Sequence, residues 1–189
     1  MVSLVQLWLP ILLSTVGAFI ASSILHMALH KIWHGADYHG FSNEDDVRAA
    51  IRKGSTQPGM YMLPFCPPEK MKDQATLAKF TEGPVGMLIL KSSGSFNMGK
   101  SLGMWFGFCL LVAIFSGYVA GATLAPGTDG MQVFRVTATV AFMGFGFGAL
   151  PNHIWWGESF TSTAKNLVDG VIYAAVTAAV FMWLWPHAA

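Results

Sequence analysis

Histidines carry the chemistry this sequence offers. His26, His30 and His34 recur every four residues, with Asp37 and His39 close behind. On a continuous helix that spacing stacks the three imidazoles along one face, and imidazoles paired at i, i+4 suit a transition-metal ion. Further along stand His153, Glu158 and Asp169, and a bundle that brings them level with the first histidines would complete a ligand set. His26, His30, His34, His153 and Glu158 are therefore the candidate metal ligands, with haem binding or proton handling as other uses of the same groups. The ordinary alternative is that His30, His34 and Lys31 end a membrane helix in the interfacial zone, where amphipathic side chains cost little, and that His26 bonds to a neighbouring helix. No Ser/His/Asp or Cys/His order, no close pair of membrane carboxylates and no cysteine cluster stands beside them, so the sequence shows no catalytic core.

The elements that must position these side chains are membrane spans. Of 189 residues, 53% are hydrophobic and only 11% charged, with a mean hydropathy of +0.49, whereas a soluble domain is about a quarter charged. Nearly all the charges fall between Lys31 and Lys100. Windows of about 20 residues, the length that crosses a hydrocarbon core, mark four spans at 4–30, 102–124, 133–151 and 167–186. The first has no basic leader and no small-residue cleavage pattern before His26, and so reads as an uncleaved span. Arg135 and Asp169 lie near span starts, where a side chain could snorkel. Ten of the eleven Lys and Arg residues flank or occupy the connections 31–101 and 152–166, which places those segments in the cytoplasm and both termini outside. The expected organisation is a first span at 1–30, a cytoplasmic insertion at 31–101 and three further spans at 102–189. The expected fold class is an all-α four-helix membrane bundle with a small α/β insertion.

Within the insertion, 42–54 reads as a short helix with a Ser or Asn cap, acids first, bases last and a closing Gly54. A second helix is expected over 67–80, and the apolar runs 60–65 and 85–90 read as buried or membrane-facing strands. The glycine- and serine-rich 92–100 reads as a loop into the second span. Gly94, Gly99, Lys100 and Ser101 fit a phosphate-loop pattern, but the helix after them is a membrane span and no α/β scaffold of adequate size surrounds it. Cys66 and Cys109 fall in different environments, so they are expected to remain unpaired. A net charge of +1 and a pI near 7.8 give no electrostatic footprint for nucleic acid.

Small residues repeat on every span: Ser14, Ala18 and Ser22; Gly103 with Gly107 and Gly117 with Gly121; Gly144, Gly146 and Gly148; Gly170, Ala174 and Ala178. In lipid this is the usual device for close helix approach, within the chain or with a partner subunit. Trp8, Trp105, Trp183, Trp185, Trp155 and Trp156 stand near span ends and read as interfacial anchors.

The runs Trp33-His34-Gly35-Ala36-Asp37-Tyr38, Asn43-Glu44-Asp45, Gly83-Pro84-Val85, Asn97-Met98-Gly99-Lys100, Pro151-Asn152-His153-Ile154-Trp155-Trp156-Gly157 and Asp169-Gly170 carry a resemblance. In these the chain resembles an uncharacterised family of bacterial four-helix membrane proteins. The resemblance implies the bacterial inner membrane and this topology, and supplies no catalytic residues. The last third is also loosely similar to a broader group of small membrane proteins containing a domain of unknown function. Abundant packing surface without visible chemistry makes the expected role that of a non-catalytic accessory or scaffold subunit of a larger membrane complex, respiratory or photosynthetic. The expected partners are membrane lipid and other membrane subunits. The alternative is a metal- or haem-binding redox or sensor protein using the His26 and His30 face.

Overall fold

The computed structural model describes residues 1–54, 56–94 and 97–188. It is an all-α membrane bundle with a small α/β insertion. Four helices are long and apolar enough to cross a membrane, Trp8–Ala28, Met98–Thr123, Gly130–Trp156 and Phe160–Trp183, making this a multi-pass membrane protein. The chain divides into two compact units, one comprising Met1–Tyr38, Asn97–His153 and Glu158–Ala189, the other His39–Phe96 with Ile154–Gly157.

The first unit is the bundle. Helix α1 (Trp8–Ser23) runs through a single π turn, Ile24–Ala28, into the short α2 (His30–Trp33) and a 3-10 turn at Gly35–Asp37. Helices α5 (Met98–Thr123), α6 (Gly130–Phe145), α7 (Ala149–Trp156) and α8 (Phe160–Trp183) come after the insertion. Each long helix after the insertion starts on a side-chain cap: Asn97 accepts from the Lys100 amide, Asp129 from those of Met131 and Gln132, and Ser159 from that of Ser162. The Ser159 cap starts the last span well before the apolar window at 167, so Lys165 and Asp169 sit on the helix rather than in or beside a loop. Helices α1, α8, α6 and α5 close a ring, each packing on its two neighbours, with α6 and α8 in the most extensive contact.

The small residues are consumed mainly inside this ring. Ser14, Ala18, Ser22, Gly117, Gly121, Gly170, Ala174 and Ala178 are all buried. Buried hydroxyls satisfy themselves on their own helix, Thr15 and Ser14 on the Ile11 carbonyl and Thr137 on that of Val133, so a core with many polar atoms stays electrically quiet. Ser116 Oγ is the one buried side-chain oxygen among the described residues without a partner. At the end of the bundle holding the termini, the Val2 amide donates to Gly121 O, the Gly127 amide to Pro186 O and the Trp185 indole to Ala125 O. Trp185 is therefore buried, and Trp105 donates inward to Ser22 Oγ at 2.7 Å, so neither is an interfacial anchor. Trp8, Trp155 and Trp183 are exposed as an anchor must be.

The second unit holds α3 (Glu44–Lys53), β1 (Gly59–Leu63), α4 (Gln74–Glu82) and β2 (Gly86–Leu90), with β1 and β2 paired antiparallel. The order helix, strand, helix, strand matches the sequence reading. The expected helix over 67–80 is broken, however. A 3-10 turn at Pro68–Lys70 ends it, and α4 restarts at Gln74, where the Asp73 carboxylate caps the Thr76 amide and hydroxyl. Both cysteines are free. Of the segment that mimics a phosphate loop, Ser95 and Phe96 lie outside the described residues. The Lys100 amide is already taken by the Asn97 side chain.

Candidate metal centre

Two short segments, each with functional residues four apart, build the site. On α8, Lys165 and Asp169 lie one turn apart and share a face; the segment after the first span brings Trp33, His34 and Asp37 against them. His34 sits between the two carboxylates. Its Nε2 lies 2.8 Å from Asp169 Oδ2 and its Nδ1 2.8 Å from Asp37 Oδ2. The other oxygen of each carboxylate is also occupied: the Trp33 indole donates to Asp169 Oδ1 at 2.8 Å and the Lys165 ammonium to Asp37 Oδ1 at 2.7 Å. The His34, Asp37 and Asp169 side chains are 5%, 6% and 3% exposed. The Lys165 ammonium beside Asp37 holds that carboxyl below the usual carboxylate range, with the His34 hydrogen bond acting in the same direction.

This arrangement sets the charges. With both aspartates ionised, both ring nitrogens of His34 must donate, which makes the ring an imidazolium. Lysine, aspartate, imidazolium and aspartate then alternate in sign and sum to zero, which is the condition for burying four ionisable groups together.

His26 completes the cluster from the π turn. Its ring stacks on that of His34 with centroids 4.4 Å apart, its Nε2 is 3.8 Å from Asp169 Oδ2, and its Nδ1 is 3.3 Å from the Tyr173 hydroxyl. One nitrogen each from His26 and His34 and one Asp169 oxygen lie within 4.8 Å of one another. Tetrahedral coordination at about 2.0–2.1 Å separates ligand atoms by about 3.4 Å, so sub-ångström to ångström side-chain shifts bring the three donors onto one ion.

The expected ligand set is thus divided. His26 and His34 come together, whereas His30, His153 and Glu158 do not join them. The cause for His30 is the π turn, where the Leu29 amide reaches back five residues to Ile24 O at 2.8 Å. One extra residue rotates the downstream side chains by about 100° relative to a regular helix. His30 is exposed, its ring 6.4 Å from that of Tyr38, while His34 turns inward. His153 Nδ1 is bonded to the Glu158 carbonyl at 2.7 Å, and the Glu158 carboxylate accepts from Ser162 and Asn166 at the start of α8. Asp169 corrects a sequence reading outright, because it does not snorkel to the interface but is buried at the centre of the cluster. Trp33, Lys165 and Tyr173 carried no sequence signal as site residues. An acid inside an otherwise uncharged span was a signal for Asp169.

Comparison with known protein families, with curated proteins and with solved structures finds no match. The functional reading therefore rests on the geometry of the site.

Proposed function

We propose that this multi-pass membrane protein binds a transition-metal ion through His26 Nε2, His34 Nε2 and Asp169 Oδ2. One observation carries the reading: each donor's remaining polar atom is held by a dedicated partner. Asp37 takes His34 Nδ1, Trp33 takes Asp169 Oδ1, and Tyr173 faces His26 Nδ1. Such outer partners fix the orientation of metal ligands and raise their basicity. Two imidazoles and one carboxylate suit zinc or ferrous iron better than calcium or magnesium. On binding, His34 Nε2 gives up its proton to the medium and keeps its bond to Asp37.

Three protein ligands leave a coordination position open, the pattern of a reactive rather than a structural ion. His34 and Asp169 are buried and the His26 side chain is 47% exposed, so the open side is that of His26. There Ser22, Met27, Leu102 and Trp105 border a mainly apolar cavity of about 270 Å³. Haem fits poorly, since the stacked His26 and His34 rings leave no gap between them for a macrocycle.

Elemental analysis of the full chain purified from membranes is expected to show about one equivalent of a first-row metal, lost in His34→Ala and retained in His30→Ala. Retention in both variants, or metal-free wild type that takes up neither zinc nor ferrous iron, sinks the proposal.

The accessory-subunit reading keeps one specific support. Gly103 and Gly107 on α5 present an open face with nothing within 4 Å of either position, beside the exposed Met104 and Phe108. Four residues apart, they suit a partner helix. Native mass spectrometry from membranes is expected to recover a complex that Gly107→Leu dissociates; recovery of wild type as a bare monomer removes this reading. The bacterial inner membrane and a cytoplasmic metal centre, with both termini outside, belong to the same proposal. The support for the orientation is the bias of Lys and Arg toward that end of the spans, while the bacterial inner membrane rests on the resemblance in sequence motifs.

A further inference from the structure

Among the described residues of the second unit, 39–96 with 154–157, Thr76 is the one buried residue. None of its described apolar side chains is buried, yet the unit is rich in them. The ribbon β1/β2 pairs Met60 with Ile89 and Met62 with Met87, and paired residues share a face. Met60, Met62 and Ile89 are each more than half exposed, as are Phe65 and Trp155. A two-stranded ribbon is marginal in water by itself, and a unit this small without a core has nothing of its own to hold it.

Continuity with the membrane identifies what covers this face. Trp155 and Trp156 end the third spanning helix, Gly130–Trp156, and belong to this unit. Within it they line, together with Met62, Val85 and Met87, a groove of about 260 Å³. The apolar side of this unit therefore includes two indole rings, a side chain that favours the headgroup level of a bilayer. The segment 39–96 is nearly balanced in charge, with seven Lys and Arg against six Asp and Glu, so it has no strong net charge to attract a partner.

We infer that the second unit is an interfacial lipid-binding element: the Met60/Met62/Ile89 face of the ribbon, with Phe65 and Trp155, lies in the boundary between headgroups and acyl chains of the bilayer. Apolar insertion without net charge makes this contact insensitive to salt, unlike a polybasic patch. The spans hold the chain in the membrane in any case, so the ribbon's task is to fix the unit on the surface.

The test uses the full chain in phospholipid nanodiscs, in a Cys66→Ser/Cys109→Ala background. An environment-sensitive nitrobenzoxadiazole label is placed at Met60→Cys, Ile89→Cys or, as the control on an exposed polar turn, Lys72→Cys. The expected result is blue-shifted emission at 60 and 89, with about twofold stronger quenching by acyl-chain nitroxide lipid than at 72, unchanged at high salt. Water-like emission at 60 and 89 overturns the inference. So does blue-shifted emission without lipid quenching, which assigns the face to a protein partner or a second copy. Unlabelled wild type with a photoactivatable phospholipid gives the check independent of substitution: adducts in 59–65 and 85–90 support the inference, and adducts confined to the four spans overturn it.

Discussion

Asp169→Ala lowers the unfolding free energy of the detergent-solubilised chain by about 3–5 kcal/mol, the range for removing one partner of a buried ion pair. The size reflects the groups that the carboxylate holds. Without it the Trp33 indole and His34 Nε2 each lose an acceptor at a position where His34 itself is buried. Lys165 and Asp37 then face a histidine with no counter-charge on its other side. Asp169→Asn is the informative control, since its amide oxygen still accepts from Trp33 and its amide nitrogen donates to a neutral His34. Its expected loss is about half as large. Glu158→Ala, which removes only the acceptor for Ser162 and Asn166 at the partly exposed start of α8, costs about 1 kcal/mol or less. Thermal and denaturant unfolding of the three variants, followed by circular dichroism, gives the comparison. Equal losses in Asp169→Ala and Glu158→Ala would mean that the buried network does not hold α8 to the segment after the first span.

How much of this was legible depended on the kind of signal. The spans could be read because a bilayer demands about 20 apolar residues, and α3 and both strands were marked by caps and breakers, whereas Pro67 suggested too early a start for α4, which its Asp73 cap sets at Gln74. The start of α8 was missed by seven residues because its first turns are polar. They bury no apolar stripe, and only the Ser159 cap marks them. For the site, i, i+4 histidine spacing pointed to the right end of the right helix and to the wrong pair. Such spacing aligns side chains only on a regular helix, and nothing in the local sequence around His26 announces a π turn. His26 and His34, eight apart, would be about 12 Å apart along a regular helix; they stack where the π turn and the non-helical Leu29 interrupt that helix. Asp37 and Lys165 pair across 128 positions, a contact that no local periodicity encodes. Trp105 and Trp185 fail as anchors for a related reason, because indoles near a span end serve equally as internal donors once a neighbouring helix offers an oxygen.

Gly170→Leu is expected to cost about 3 kcal/mol, at the upper end for overpacking, because the obstacle is backbone. A Cβ at position 170 would lie 2.7 Å from the Cα of Gly146 and 3.0 Å from its nitrogen, at the end of α6. Rotamer changes cannot clear a main chain, so α8 must shift outward along its most extensive contact. Gly103→Ala is the counterpart: nothing stands within 4 Å of that position, and the expected result is no loss of stability. The pair also separates packing from chemistry at the site, since Gly170 comes directly after Asp169 and its close approach to α6 sets where the carboxylate sits. Gly170→Leu should therefore weaken metal binding as well as folding, whereas Gly103→Ala should alter neither. Unchanged metal affinity in a clearly destabilised Gly170→Leu would show that the seating of α8 on α6 does not position Asp169. The ligand geometry would then rest on the local partners Trp33, Asp37 and Tyr173 alone.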